Sequence, residues 1–245
     1  MTELIELIWK CLRDSEEVKD YLENASIFIT KYENGRVCDA MVLLEDDDFI
    51  NRFSPINGSN FVIDKHFKDQ DIFIRIKHYS WIEKDFSKRV SIALWILKNS
   101  IIIQEKQEKI SSLINEYQNR FEKSLVSTIS QKYLELRTER HNLRFSLKRN
   151  DILASLIIKS TIAKISLELC FLSEKNPYPF KILLSQTESE YGKRIATICK
   201  DFLTTNNFEE SIALSDELIN KLIDMLSKKT SISSDFLEKW WKYLP

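Results

Sequence analysis

Glycine is scarce in this chain, and that scarcity restricts the fold more than any other feature of the sequence. The 245 residues include 3 glycines and 4 prolines, whereas an average chain has about 7% glycine and about 5% proline. Because these two residues interrupt helices most often, we expect long continuous helices. The glycines, Gly35, Gly58 and Gly192, are far apart, and both the P-loop and the dinucleotide-binding fingerprint need clustered glycines. The sequence excludes both of those phosphate-binding loops.

Charge and composition indicate an ordinary folded protein. Hydrophobic residues make up 43% of the chain, and 36 Lys and Arg face 37 Asp and Glu, for a net charge of -1. A strong overall attraction to nucleic acid or acidic lipid is therefore not expected. The longest apolar stretch, residues 154–172, contains Lys159, Lys164 and Glu168, which argues against a membrane span. The acidic start, residues 1–6, differs from the basic start of a signal peptide, so we expect a cytoplasmic protein.

The sequence does not favour a zinc site. Its four cysteines, Cys11, Cys38, Cys170 and Cys199, are widely spaced and form no CxxC pair, and its three histidines form no HExxH motif. Isolated thiols of this kind are typical of small buried apolar residues in a reducing compartment.

Residues 1–104 mix helical and strand patterns. Asn34-Gly35 lies between two strand-like runs, residues 26–32 and 37–44, and predicts an antiparallel hairpin because both turn residues tolerate positive φ. Residues 71–77 alternate apolar and polar side chains, which predicts a further strand of the same sheet.

A capping box is predicted to follow that strand. Ser80-Trp81-Ile82-Glu83 has the S-x-x-E form, so a helix is expected to begin there and to continue through Leu97. A short strand is expected at residues 100–103. The strand signal then disappears, and the sequence predicts an all-helical second half, with helices near residues 106–149, 151–173, 187–204, 209–228 and 235–243. The predicted fold class is α+β, with a small mixed sheet and flanking helices in residues 1–104 and a helical bundle in residues 105–245.

Four residues of the predicted hairpin align with a known sequence motif, and two of the four match it. Tyr32 and Gly35 fit the motif Gly-Ser-Tyr-x-x-Gly, whereas Thr30 and Lys31 stand where its Gly and Ser would be. With this motif and its order of elements, the chain resembles the nucleotidyltransferase fold of the DNA polymerase β superfamily. The resemblance is to the branch that contains the aminoglycoside and lincosamide nucleotidyltransferases. It implies that Thr30, Lys31 and Gly35 occupy nucleotide-binding positions.

The second motif of that branch, Ser-Asp-x-Asp, is half replaced. Asp39 matches its first Asp, but Met41 stands in place of the second, and the third carboxylate of the family would map to Asp71. Two Asp residues at i and i+2 of a strand point to one face and can bridge two Mg²⁺ ions. A thioether does not suit Mg²⁺, which prefers oxygen ligands. The resemblance therefore implies a degenerate site in which Asp39 and Asp71 are the catalytic and metal-binding candidates, with Mg²⁺ as the cofactor of an active form.

These observations predict a nucleotidyltransferase-like pseudoenzyme that binds a nucleotide or small molecule between its two domains, or a protein partner. Two alternatives stay open. The first is an active Mg²⁺-dependent nucleotidyltransferase that modifies a small molecule or a protein. The second is a helical interaction protein or an RNA-binding protein.

A basic stripe bears on the second alternative. Arg137, Arg140, Arg144 and Lys148 recur on one helix face, with His141 beside them. Such a stripe could hold phosphate or RNA backbone. Because the net charge is close to zero, the sequence favours a solvated face with Glu135 and Glu139 as local counter-charges, and nucleic acid is not expected as a partner.

Overall fold

The computed structural model describes residues 2–33, 37–53, 61–67, 70–85 and 89–244. The chain divides into two compact units, Met1–Arg120 and Phe121–Pro245. The division falls within a 40-residue helix, Lys109–Lys148, whereas the sequence predicted a boundary at residues 104/105. The start of that helix therefore belongs to the first unit.

The first unit contains a five-stranded mixed sheet. Its strands are β1 Ser26–Glu33, β2 Val37–Leu44, β3 Phe61–Phe67, β4 Gln70–His78 and β5 Ile101–Gln104, in the order β3-β4-β2-β1-β5. Strands β1 and β2 are antiparallel neighbours, and β4 runs parallel to β2. The predicted strand pairing of residues 26–32 with 37–44, the predicted strand 71–77 and the predicted strand 100–103 are confirmed. The turn between β1 and β2 lies outside the described residues.

One face of this sheet forms the main core of the first unit. Alternating residues of β2 and β4, among them Ala40, Val42, Ile74 and Ile76, pack with buried residues of two helices, α1 Thr2–Arg13 and α2 Asp46–Phe53. The side chains at odd-numbered positions of β2 therefore lie on the opposite face.

Helix α2 is absent from the sequence prediction. Its first turn contains Asp46, Asp47 and Asp48. Three carboxylates at a helix N-terminus are favourable because the backbone N–H groups there carry partial positive charge. The short length of α2, only eight residues, leaves little periodicity to detect.

The predicted capping box at Ser80 is wrong. Helix α3 spans Tyr79–Asp85, so Ser80 is inside it, and its backbone N–H donates to Oδ1 of Asp46 at 3.1 Å. A carboxylate distant in sequence therefore accepts from the first turn, which a local motif cannot reveal. The next helix, α4, begins at Val90 and ends at Asn99.

The second unit is helical, as predicted. It comprises most of α5 Lys109–Lys148, then α6 Ile152–Ser173, α7 Glu190–Thr204, α8 Phe208–Lys229 and α9 Ser234–Glu238. Side-chain caps begin four of them, at Asp151, Ser189, Asn207 and Ser233. The predicted last helix, residues 235–243, is instead α9 followed by a 3-10 turn, Trp240–Tyr243. Within the described ranges, no helix has the length and apolar character that crossing a membrane requires.

Candidate functional site

Asp39 lies in the middle of β2, on the sheet face opposite the α1 and α2 core. Its carboxylate is 21% exposed, and its Oδ1 lies 3.3 Å from Nη2 of Arg75. In the parallel pairing of β2 with β4, Asp39 is opposite Phe73 and Met41 is opposite Arg75. The guanidinium of Arg75 therefore reaches diagonally to Asp39, across one strand spacing. An arginine thus neutralises the carboxylate that the sequence analysis singled out.

Asp71, the other predicted carboxylate, has a different partner. It lies opposite Val37, two residues before the partner position of Asp39, which is about 7 Å along the strand. Its Oδ1 contacts Nδ1 of His66, on β3, at 2.5 Å. Asp39 and Asp71 share a sheet face, but the structure gives each of them a separate basic partner.

Thr30 is buried beside Asp39 and uses its hydroxyl internally. The Oγ1 of Thr30 donates to the backbone carbonyl of Asp39 at 3.0 Å. The pairing of β1 with β2 is irregular between Ile29 and Lys31, so Thr30 occupies a bulge, and Lys31 is paired with Asp39 in the backbone register. The side chain of Lys31 and the whole of Gly35, both predicted to contact a nucleotide, lie outside the described residues.

A known structure resembles this arrangement of elements. A crystal structure of a nucleotidyltransferase-like protein from Exiguobacterium sibiricum 255-15 is similar with a TM-score of 0.52, covering 96% of this chain and 80% of that one, at 12% sequence identity. The fold is nucleotidyltransferase-like. No protein-family model matches the sequence, and no curated protein matches it.

The side chains on this nucleotidyltransferase-like sheet do not fit a pair of Mg²⁺ ions. Met41, which stands where the resemblance implies a second carboxylate, is 3% exposed, so its thioether is packed among other side chains. Among the described residues, no group of three His, Cys, Asp or Glu is arranged to hold a metal. The Oδ1 of Asp39 has no hydrogen-bond partner in the described part of the chain, and the guanidinium of Arg75 lies 3.3 Å from it. A guanidinium at that distance repels a divalent cation.

A second polar cluster joins distant segments of the first unit. The hydroxyl of Tyr79 donates to Oγ of Ser26 at 2.6 Å, and the ammonium of Lys109 lies 4.4 Å from the centre of the Tyr79 ring. Lys109 also forms an ion pair with Glu45, at the end of β2. Burial raises the pKa of Tyr79, so its hydroxyl stays protonated and is a donor at neutral pH. The cluster positions β1, α3 and the start of α5, and none of these contacts suggests a reaction.

Sequence reasoning missed Arg75. The alternation of residues 71–77 already placed Arg75 on the same strand face as Asp71, but only the parallel register of β2 and β4 brings it next to Asp39. A sequence has no local signal for that register, because the two strands are separated by α2 and β3.

The basic stripe of α5 also differs from its predicted form. Arg140 is only 12% exposed, and its Nη2 donates to Oδ1 of Asp216, on α8, at 2.6 Å. Its counter-charge is therefore on another helix and is not Glu139. The prediction of a solvated face is wrong at this position, because α8 packs against that part of α5.

Proposed function

We propose that this is a nucleotidyltransferase-like protein in which an arginine takes the place of the metal ions, and that it binds its ligand without transferring a nucleotide. The observation that carries the proposal is the 3.3 Å contact between Nη2 of Arg75 and Oδ1 of Asp39. Metal-dependent nucleotidyl transfer requires carboxylates that converge on divalent cations. Here the carboxylate converges on a guanidinium.

Arg75 also supplies a means to hold an anionic ligand. Its side chain is 45% exposed, and it contacts Asp39 through one nitrogen. A guanidinium has five N–H donors in a planar fork that suits phosphate oxygens. A phosphate of a nucleotide or of another small molecule would therefore be bound by Arg75 directly, where a catalytic relative would use a metal ion.

Turnover is the first test. Release of pyrophosphate from each of the four nucleoside triphosphates is measured with Mg²⁺ or Mn²⁺ and a panel of small-molecule and protein acceptors. We expect wild type and Asp39→Asn to give the same background. Robust wild-type turnover that disappears in Asp39→Asn would make the active-enzyme alternative correct.

Binding is the second test. Equilibrium dialysis of ATP against the full chain is performed with Mg²⁺ and with EDTA. We expect the same affinity in both buffers and a loss of about tenfold in Arg75→Met, which removes a charge-assisted hydrogen bond. Arg52→Met, at the exposed end of α2, is the matched control and should bind as wild type. Binding that requires Mg²⁺ would contradict a metal-independent site.

A third test changes the two features that disfavour metal binding, the missing second carboxylate and the positive charge of Arg75. Met41→Asp restores the second carboxylate, and Arg75→Met removes the competing cation. We expect Mn²⁺ binding, followed by electron paramagnetic resonance, in the double variant and little or none in either single variant. Circular dichroism establishes that each variant is folded, since Met41 is buried. Strong Mn²⁺ binding by wild type would refute the proposal.

A further inference from the structure

The helical unit contains a cavity that the sheet site does not involve. It has a volume of about 630 Å³ and lies between α5, α8 and the turn that begins at Trp240. Its walls include Arg137, Arg140 and His141 of α5 and Asn220 of α8. Small-molecule sites commonly have volumes of about 300–1,000 Å³, with a few polar groups placed on an apolar wall. We propose that this cavity binds a small molecule with a phosphate monoester.

Arg137 is the main anion-binding group of this cavity. Its Nη1 donates to the hydroxyl of Tyr133 at 2.9 Å, and its guanidinium lies 5.2 Å from the centre of the Trp240 ring and 5.8 Å from that of Tyr133. Tyr133 in turn donates to the carbonyl of Leu237 at 2.6 Å. These contacts are with neutral groups, so they hold the guanidinium in one orientation without neutralising its charge.

Arg140 differs from Arg137 because it has a carboxylate partner. Its contact with Asp216 holds it one helical turn from Arg137 on the same wall. With that pair neutralised, the charges that remain on the wall are Arg137 and Glu238. A single guanidinium beside one carboxylate provides a site for one small anionic group only. A polyanion such as RNA would need several unpaired cations along its backbone.

The arrangement of donors favours a phosphate over a simple carboxylate. Arg137 and His141 are four residues apart on α5 and are therefore neighbours on one helix face. Their N–H donors can approach different oxygens of one tetrahedral group, and the amide of Asn220 lines the same cavity. Glu238 opposes any anion there, so it weakens the binding of every phosphate compound.

Isothermal titration calorimetry of the full chain tests the site, with EDTA present. The probes are AMP, glucose 6-phosphate and inorganic phosphate, so that nucleotide and sugar sources of the same group are compared. We expect AMP or glucose 6-phosphate to bind, and Arg137→Met to lose about 10- to 100-fold in affinity. Arg144→Met is the matched control, because Arg144 is exposed on the same helix and does not line the cavity. Its affinity should equal that of wild type.

Glu238→Gln should change the phosphate affinity in the opposite direction to Arg137→Met. Removal of this negative charge should strengthen phosphate binding by about threefold, an effect that damage to the fold would not produce. Arg137→Lys keeps the charge but loses the fork, and should bind more weakly than wild type and more tightly than Arg137→Met. Binding that is unchanged in Arg75→Met assigns the site to the helical unit, whether or not the sheet site exists.

Three results would overturn the inference. The first is that neither phosphate monoester binds to wild type. The second is that they bind equally well to wild type and to a folded Arg137→Met variant. The third is that a uridine oligonucleotide binds, is released by Arg137→Met, and is not displaced by the small phosphates, which would assign the cavity wall to RNA.

Discussion

Arg75 and Asp39 lie on neighbouring parallel strands and meet diagonally, with Nη2 and Oδ1 3.3 Å apart. The contact gives Asp39 a counter-charge that is covalently attached to β4. A bound metal can exchange and can move with the substrate, whereas a guanidinium attached to β4 cannot. The pair therefore accounts for the neutralisation of Asp39 without any ligand.

The coupling of these two residues should be small. Arg75 is 45% exposed, so solvent screens its attraction to Asp39. In a double-mutant cycle with Asp39→Asn and Arg75→Met, we expect a coupling free energy of about 0.5–1 kcal/mol, measured by urea unfolding. A coupling of zero would contradict this expectation and show that the pair contributes nothing to stability. One well above about 2 kcal/mol would show that water is excluded from it.

The hairpin and the fourth strand were predictable because their signals are local. Asn34-Gly35 between strand-like runs indicates the hairpin, and the alternation from Asp71 to Lys77 indicates β4. Helix α2 was not, because its eight residues begin with an acidic run that also suits a loop. The cap of α3 was assigned to Ser80, although Asp46 accepts the hydrogen bond. That acceptor depends on the tertiary fold.

The candidate site was predictable only in part, for a related reason. The position of Asp39 on the sheet face opposite the α1 and α2 core follows from the alternation of β2. Its partner depends on which strand lies beside β2 and in which register, and those are properties of the whole sheet. The same limitation applies to Arg140, whose carboxylate partner is 76 residues away. The strand that holds Asp39 and the helix that holds Arg140 were both predicted, but the ion pairs between elements could not be assigned.

Glu168 should be important for the stability of the helical unit. It is 4% exposed and contacts both Lys132 and Lys164, at 2.5 Å and 3.4 Å. Glu168→Gln would leave the charge of Lys132 partly buried without a counter-charge, so we expect the free energy of unfolding to fall by about 3 kcal/mol. Glu190→Gln removes an exposed pair with Arg194 and should cost less than about 0.5 kcal/mol.

The ion pair of Lys132 with Glu168 predicts a loss of stability at alkaline pH. Burial lowers the pKa of Lys132, but the hydrogen bond and charge of Glu168 raise it by more, so the pKa lies above its ordinary value of 10.5. The folded state then holds the proton more tightly than the unfolded state. The stabilisation is complete below pH 10.5 and is lost as pH rises through the folded pKa. Urea unfolding from pH 9 to pH 11.5 should show this decline in wild type, and a smaller one in Glu168→Gln.

The four cysteines should be unreactive in the folded protein. All are buried free thiols, in agreement with their predicted role as small apolar residues. Burial raises the pKa of Cys38 to about 11 and that of Cys199 to about 12, and it raises the pKa of Cys170 as well. Because the thiolate is the nucleophile, a disulfide reagent at pH 8 should react slowly with the native chain and label all four thiols after unfolding. Rapid native labelling of any cysteine would show that its surroundings open.

Gly192 should resist replacement even though it lies inside a helix. It is in the first turn of α7, where its N–H donates to Oγ of the cap residue Ser189. A Cβ at this position would lie 1.9 Å from Oγ1 and 2.6 Å from Cγ2 of Thr187, which is itself buried. Alanine would gain about 1 kcal/mol of helix propensity, whereas overpacking costs about 1–3 kcal/mol. We expect Gly192→Ala to lower the free energy of unfolding by about 1 kcal/mol.

Two further variants separate the steric effect from helix propensity. Lys193→Ala, at the next and exposed position of α7, should change the free energy of unfolding by less than about 0.5 kcal/mol. Thr187→Ala removes Oγ1 and Cγ2 but leaves its Cβ 2.7 Å from the added methyl group, so in the Gly192→Ala background it should restore only part of the loss. A Gly192→Ala protein that is more stable than wild type would show that Thr187 moves aside and that helix propensity outweighs the contact.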